Sequence, residues 1–294
     1  MYNEIGGIAL IKQIWYSAKT EYVGWITNPR MFLLIGSLFF VYVFVVEKFI
    51  QKSDMMNGQL INFFEPFIAV LNSPFTVLIM PICYLMLMSD FPRVRPNTLF
   101  VIYRIGRYKW LVSQILFFLA SAITFIIAMF LVATLPMIAR SYFANGWSMV
   151  TLNFCNEFPE LTLSEMAMLI PDRIYNHVYP FETVAFSTLT YVGYFMIMGL
   201  AMIICKLKNF SFLGIFLSAL LIGSGFATYL TGGLLKWLFP MSNTMMHLHY
   251  AKFLREEKIP LLFSQLYFPV IIVLLIIVTF ISIKKSSFIY GEQE

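Results

Sequence analysis

The chain has 294 residues, of which 60% are hydrophobic and only 12% charged, with a mean hydropathy of +0.80. A water-soluble domain carries about 25% charged residues, so this composition excludes one and makes the chain a membrane protein. Its net charge of +5 is therefore a matter of membrane orientation, not of nucleic-acid binding, because basic residues orient membrane spans.

The N-terminal stretch Met1 to Arg30 lacks a short apolar core followed by a small-residue cleavage site, so no cleavable signal peptide is expected there. Within it Ile11, Trp15, Ala18, Tyr22 and Trp25 recur at helical spacing, with Lys12, Lys19 and Glu21 largely off that face. This predicts an amphipathic interfacial helix over 1–30, stopped by Asn28-Pro29. An ordinary polar lead-in is the plainer alternative.

About 20 apolar residues are needed to cross hydrocarbon as a helix. Six segments qualify: 31–48, 66–88, 111–138, 183–205, 210–230 and 260–283. The expected fold class is all-α, a polytopic membrane protein in one transmembrane domain over 1–294. In the second span Pro74 and Pro81 predict kinks. In the fifth, Gly214, Ser218 and Gly225 share a face where small residues allow close helix approach. A contact within the chain or a subunit interface would both use such a face.

An even number of spans puts both termini on one side. Twelve of the twenty basic residues fall on that side, including Arg30, Arg93, Arg95, Arg104, Arg107 and Lys109. The acids Glu157, Glu160, Glu165, Asp172 and Glu182 gather in the long loop 139–182. Both termini are thus expected in the cytoplasm, and 139–182 outside. The loop with Lys252, Arg255 and Lys258 runs against this assignment. Of the three cysteines, Cys83, Cys155 and Cys205, only Cys155 lies on the outer side, so no intrachain disulfide is expected.

Two connectors promise structure of their own. In the outer loop, TLSEMAMLIP reads as a helix capped by Thr162 with Glu165 reciprocating. Between spans five and six, 231–259 mixes apolar and polar residues without filling a span. It reads equally as a re-entrant segment or as an ordinary outer loop.

Catalytic signatures fail one by one. There is no GxxxxGK[ST] loop and no HExxH. His247 and His249 are two apart and do not share a helical face, so no metal site is assigned. Gly223-Ser224-Gly225 invites comparison with rhomboid-type proteases, but Ile222 stands where that family wants glycine. None of Glu47, Glu65, Asp90 or Glu182 falls at a span centre to relay protons.

The remaining feature is SDFPRVRPNTLFVIYRIGRYKW, Ser89 to Trp110, with five basic residues, two prolines and one acid. From Asn97 it reads as a short helix running into span three. A positive-inside loop touching anionic lipid is the plain reading. Taken with TNPRMFLLIG at the end of the amphipathic helix, YRIGRYKWLVSQILF before span three and the partly re-entrant stretch before span six, the chain resembles the membrane subunit of type-2 ABC transporter permeases, an exporter class. The likeness covers nearly the whole chain and lies in arrangement, not in one diagnostic motif.

The resemblance implies a permease subunit in the bacterial cytoplasmic membrane, moving an amphipathic cargo such as a peptide, drug or lipid-like molecule. Segment 90–109 would be the cytoplasmic coupling element, with Arg93, Arg95, Arg104 and Arg107 meeting separate ATP-binding cassette ATPase subunits. A second permease, identical or sister, would pair through spans one and five, including Gly214, Ser218 and Gly225. No cofactor would be bound by this chain, since ATP and Mg belong to the partner ATPase. An alternative of a different class is a membrane-embedded enzyme or scaffold acting on lipid or peptide without ATP, for which Asn72, Ser73, Ser224 and Thr228 are the polar candidates.

Overall fold

The computed structural model describes residues 2–93, 96–251 and 256–285; Arg95, Lys252 and Arg255 lie outside the described residues. Helix α1 (Tyr2–Ile26) is followed by a continuous helix over 31–55, made of α2 (Met31–Val41), a π-helical turn Tyr42–Val46 and α3 (Glu47–Met55). Then come α4 (Glu65–Asn72), α5 (Pro74–Met88), α6 (Pro96–Ile105) and α7 (Arg107–Thr134), the last extended by a 3-10 turn to Arg140. Helices α8 (Met149–Glu157) and α9 (Asp172–Tyr175) precede α10 (Pro180–Leu207), α11 (Ser211–Thr231), α12 (Pro240–Thr244) and α13 (Leu261–Lys285).

Among the described residues, five helices are long and apolar enough to cross a membrane, and a sixth candidate is the pair α4–α5, bent by 75°. The bend sits where the sequence requires it. Ser73 precedes Pro74 and takes extended dihedrals (φ −68°, ψ 134°), the conformation that proline imposes on its predecessor. Pro81 lies inside α5 without ending it.

The helix ends sort into two groups. Arg30, at the start of α2, pairs with Asp90 beyond α5 at 2.7 Å, and Tyr108 of α7 stacks on Phe280 of α13. At the other end Glu65 opens α4 near Lys52, Phe64 packs on Phe181 of α10, and Arg140 reaches Asp54. These are called below the Arg30 end and the Lys52 end.

Helix α10 is the axis of the bundle. Its most apolar window is 72% buried, against 22% for α11 and 17% for α13, whose outer faces are bare apolar side chains. Small residues set its spacing. A Cβ on Gly199 would collide with the Phe118 ring of α7, and one on Gly193 would lie 2.9 Å from Phe268 of α13. Between these helices Tyr84 stacks on Phe195 at 4.2 Å, and its hydroxyl reaches Ser121.

At the Lys52 end, loop 139–182 folds down as a cap. A two-residue parallel ladder joins β1 (Ile61–Asn62) to β2 (Ser141–Tyr142), and Asn62 Nδ2 donates to the carbonyls of Ala144 and Gly146. The expected helix over TLSEMAMLIP is absent. A single 3-10 turn at Ala167–Leu169 stands there instead, preceded by another at Pro159–Leu161. Thr162 Oγ1 donates to Pro159 O, and Glu165 pairs with Lys48, so neither residue serves the cap assigned to it.

The stretch between α11 and α13 is no ordinary outer loop. Residues 240–250 are buried without interruption, wedged among α10, α11, α13 and the Ser73 bend. This segment is built from the short helix α12 and a 3-10 turn at Met246–His249.

Candidate functional site

At the Arg30 end lie Arg30, Arg93, Arg104, Arg107 and Lys109. Arg30 bonds Asp90 and also Ser89, tying the α1–α2 turn to the end of α5. Arg93 joins this knot, with its guanidinium 3.7 Å from Asp90 and 4.4 Å above the Phe91 ring. Arg93 is therefore largely tucked in and acts as a brace.

Helix α6 and helix α7 are separate, which corrects the expectation of one helix running into span three. Gly106 breaks them with φ 91° and ψ 148°, a conformation essentially reserved for glycine. Arg104 closes α6 and Arg107 opens α7, and both are exposed. Helix α1 runs beside the first half of α7 in the same direction. Gln13 Oε1 accepts from Lys109 Nζ at 3.2 Å, Ser17 meets Ser113 at 2.9 Å, and Tyr22 meets Thr124 at 2.7 Å. Trp25 sets its ring edge-on to Phe117.

Of the expected apolar face of α1, Ala18 and Trp25 are buried, Tyr22 and Trp25 contact α7, and Ile11 and Trp15 are exposed. A groove of about 380 Å³ lies between α1 and α6, with Tyr16, Thr20, Val101, Arg104 and Trp110 in its walls. Arg104 and Arg107 are thus exposed, whereas Arg93 is held by Asp90 and Phe91. The structure brings Arg104 and Arg107 together across the Gly106 turn.

The small-residue face of α11 needs correction as a subunit interface. A Cβ on Gly214 would meet Met202 and Cys205 of α10 at 3.1 Å, and one on Gly225 would meet Met241 at 3.1 Å. Ser218 is buried and donates to Gly214 O. The face lies against this chain's own α10 and 239–241 segment. The polar candidates for membrane-embedded chemistry do not converge either. Ser224 and Thr228 bond carbonyls of their own helix, whereas Asn72 and Ser73 lie at the bend of α4–α5.

Three features escaped the sequence reading. First, Glu65 is wholly buried and accepts from Ser148 N (2.6 Å), Ser148 Oγ (2.7 Å) and Thr151 Oγ1 (2.8 Å). Lys52, also buried, lies over the Phe154 ring at 4.7 Å and helps balance that charge. Second, Asn72 ends α4 by donating to Ile68 O and Ser187 Oγ and accepting from Met246 N at 3.1 Å. One side chain thus ties the bend to α10 and to the wedge. Third, Ser264 Oγ lies 2.7 Å from Asn243 Oδ1 and 3.1 Å from His249 Nε2, and its one proton serves one of them at a time. His249 Nδ1 donates to Ile259 O at 2.9 Å.

Burial pushes His249 down to about 4, aided by the charge of Lys236 and opposed by the bond to Ile259. Burial, then the charges of Arg173, Lys236 and His249, holds His247 at about 3. Both rings are neutral at physiological pH. The only sequence signal for these three features was a polar residue type inside or beside an apolar run.

Compared with family models, curated proteins and solved structures, the chain matches none.

Proposed function

We propose that the chain is the permease subunit of an ATP-binding cassette exporter, coupled to separate ATPase chains and moving an amphipathic peptide, drug or lipid-like cargo. One observation carries this reading. The short helix α6, closed by the exposed Arg104, is set off by Gly106 from α7, which the exposed Arg107 opens. A push on α6 would pass to α7, against which it packs.

Six crossings follow if the bent pair α4–α5 counts as one. It starts beside Lys52 and finishes beside Arg30, which are opposite ends of the helix 31–55. At 1.5 Å per residue its two legs, bent by 75°, cover about 28 Å, close to the roughly 32 Å between Arg30 and Lys52 along their helix. Positive-inside reasoning then turns the Arg30 end, with both termini, toward the cytoplasm. Nucleotide and magnesium belong to the ATPase in this reading, and the docking contacts fall to Arg104 and Arg107. Pairing with a second permease moves to the outward face of α11, where Phe212, Phe216 and Leu220 are exposed.

The test is the double variant Arg104→Glu with Arg107→Glu, studied for co-purification with an ATP-binding chain and for ATP-dependent transport in vesicles. Both should fall at least tenfold, since two reversed charges meet an acidic partner surface. Unchanged assembly and transport would remove the coupling role from this segment.

A further inference from the structure

A pocket of about 440 Å³ opens at the Lys52 end, between the 147–179 segment and the paired residues Tyr250 and Glu257. Its walls are aromatic: Trp147, Tyr175, His177, Tyr179 and Tyr250, with the Glu257 carboxyl beside them. The rings are placed, not loose. His177 stacks on Tyr250 with centroids 4.6 Å apart, Trp147 stands edge-on to Tyr175 at 6.5 Å, and Trp147 Nε1 donates to Val178 O at 2.7 Å. Backbone pairing between Tyr250 and Glu257 holds the acid at the pocket, and among the described residues Glu257 makes no ion pair.

Aromatic faces carry the negative lobes of their quadrupoles and attract cations, most strongly when the cation is poorly hydrated. A carboxylate at the same pocket adds to that field and would serve no purpose for a neutral apolar guest. The Tyr250 hydroxyl is pushed up to about 12 by burial first, with the charges of Glu257 and Glu182 adding to it. Of the described cations nearby, Arg173, Lys236 and Lys258, none lines the pocket. The volume suits a small group or the head of a larger molecule.

We propose that this pocket binds a cationic ammonium group, quaternary or otherwise substituted, seated against Trp147, Tyr179 and Tyr250 and neutralised by Glu257. The inference goes beyond the permease reading and stands without it.

The test uses the full chain in nanodiscs of anionic phosphatidylglycerol, titrated calorimetrically with choline and with its uncharged isostere 3,3-dimethylbutan-1-ol. Choline should bind saturably and the isostere at least tenfold more weakly. Tyr179→Leu and Glu257→Gln change exposed side chains, so folding should persist, checked by the thermal melt, while choline affinity drops about 2- to 30-fold, the range of a cation–π contact. Equal binding of choline and isostere, no saturable choline binding, or affinity untouched by both variants would overturn the proposal. Discs containing phosphatidylcholine separate the two sources of the group: competition with soluble choline identifies a lipid headgroup, and unaltered binding identifies a free amine.

Discussion

Glu65 illustrates how far one residue's role depends on partners remote in sequence. Its acceptors are saturated by Ser148 and Thr151, 83 and 86 residues away, and these donors are what make a buried carboxylate tolerable. The N-cap of α8 is formed by the same Ser148, whose Oγ accepts from Thr151 N. At this scale the histidines yield a prediction. His247 and His249 are held at about 3 and about 4, below the ordinary value near 6.5. The unfolded chain therefore takes up these protons first. Stability should be complete above about pH 6.5 and decline as pH falls toward 4. His249→Gln, which keeps a neutral polar side chain, should lessen the slope of the melting temperature against pH across that window and leave the part due to His247. A wild-type profile with no slope between pH 6.5 and 4 would contradict the assignment.

Individual elements follow from short-range signals where those signals are strong. Asn28-Pro29 ends α1, Ser73-Pro74 bends the second apolar run, and Gly106 parts α6 from α7. Where the signal was a capping pattern alone, at TLSEMAMLIP, it failed. Glu165 is drawn to Lys48, and Leu169 and Ile170 are buried in the core, so tertiary contacts override a marginal ten-residue helix. The glycines of α10 had no distinguishing pattern, yet they decide how closely its neighbours approach. Gly199→Val should force α7 away through Phe118 and destabilise the chain by about 1–3 kcal/mol, the usual cost of overpacking, read as a lower melting temperature. Gly223→Val, where a Cβ meets nothing within 4 Å, should leave it unaltered; equal effects at both sites would show that close approach is not the cause.

For the molecule as a whole, the wedge 240–250 and the Ser73 bend form one unit. Asn72 accepts the Met246 N–H across 174 residues of chain, and Ser264 links Asn243 and His249 to α13. Asn72→Ala leaves that N–H buried without its acceptor, at a cost of about 1–3 kcal/mol. Hydrogen exchange over 241–250 should accelerate severalfold, while exchange in α7 stays as it was. Unchanged protection of the wedge would mean that its packing, not Asn72, holds it. In the permease reading, this is the region that a movement of α5 would disturb.

The apolar segments were legible from the sequence alone, because crossing hydrocarbon demands a long unbroken run that no distant contact is needed to recognise. The basic clusters were legible for the same reason, since each sits next to an apolar run in the sequence. What only the tertiary structure decided was which way each helix faces. In α11 the residues toward lipid and those toward α10 are all apolar or small, so the pattern of side chains carries no direction, and Gly214, Ser218 and Gly225 turned out to face inward. The polar contacts of Glu65, Asn72 and Asn243 were likewise invisible. Each joins elements far apart in the chain, and burial leaves such groups no water to bond if the fold fails to supply a partner.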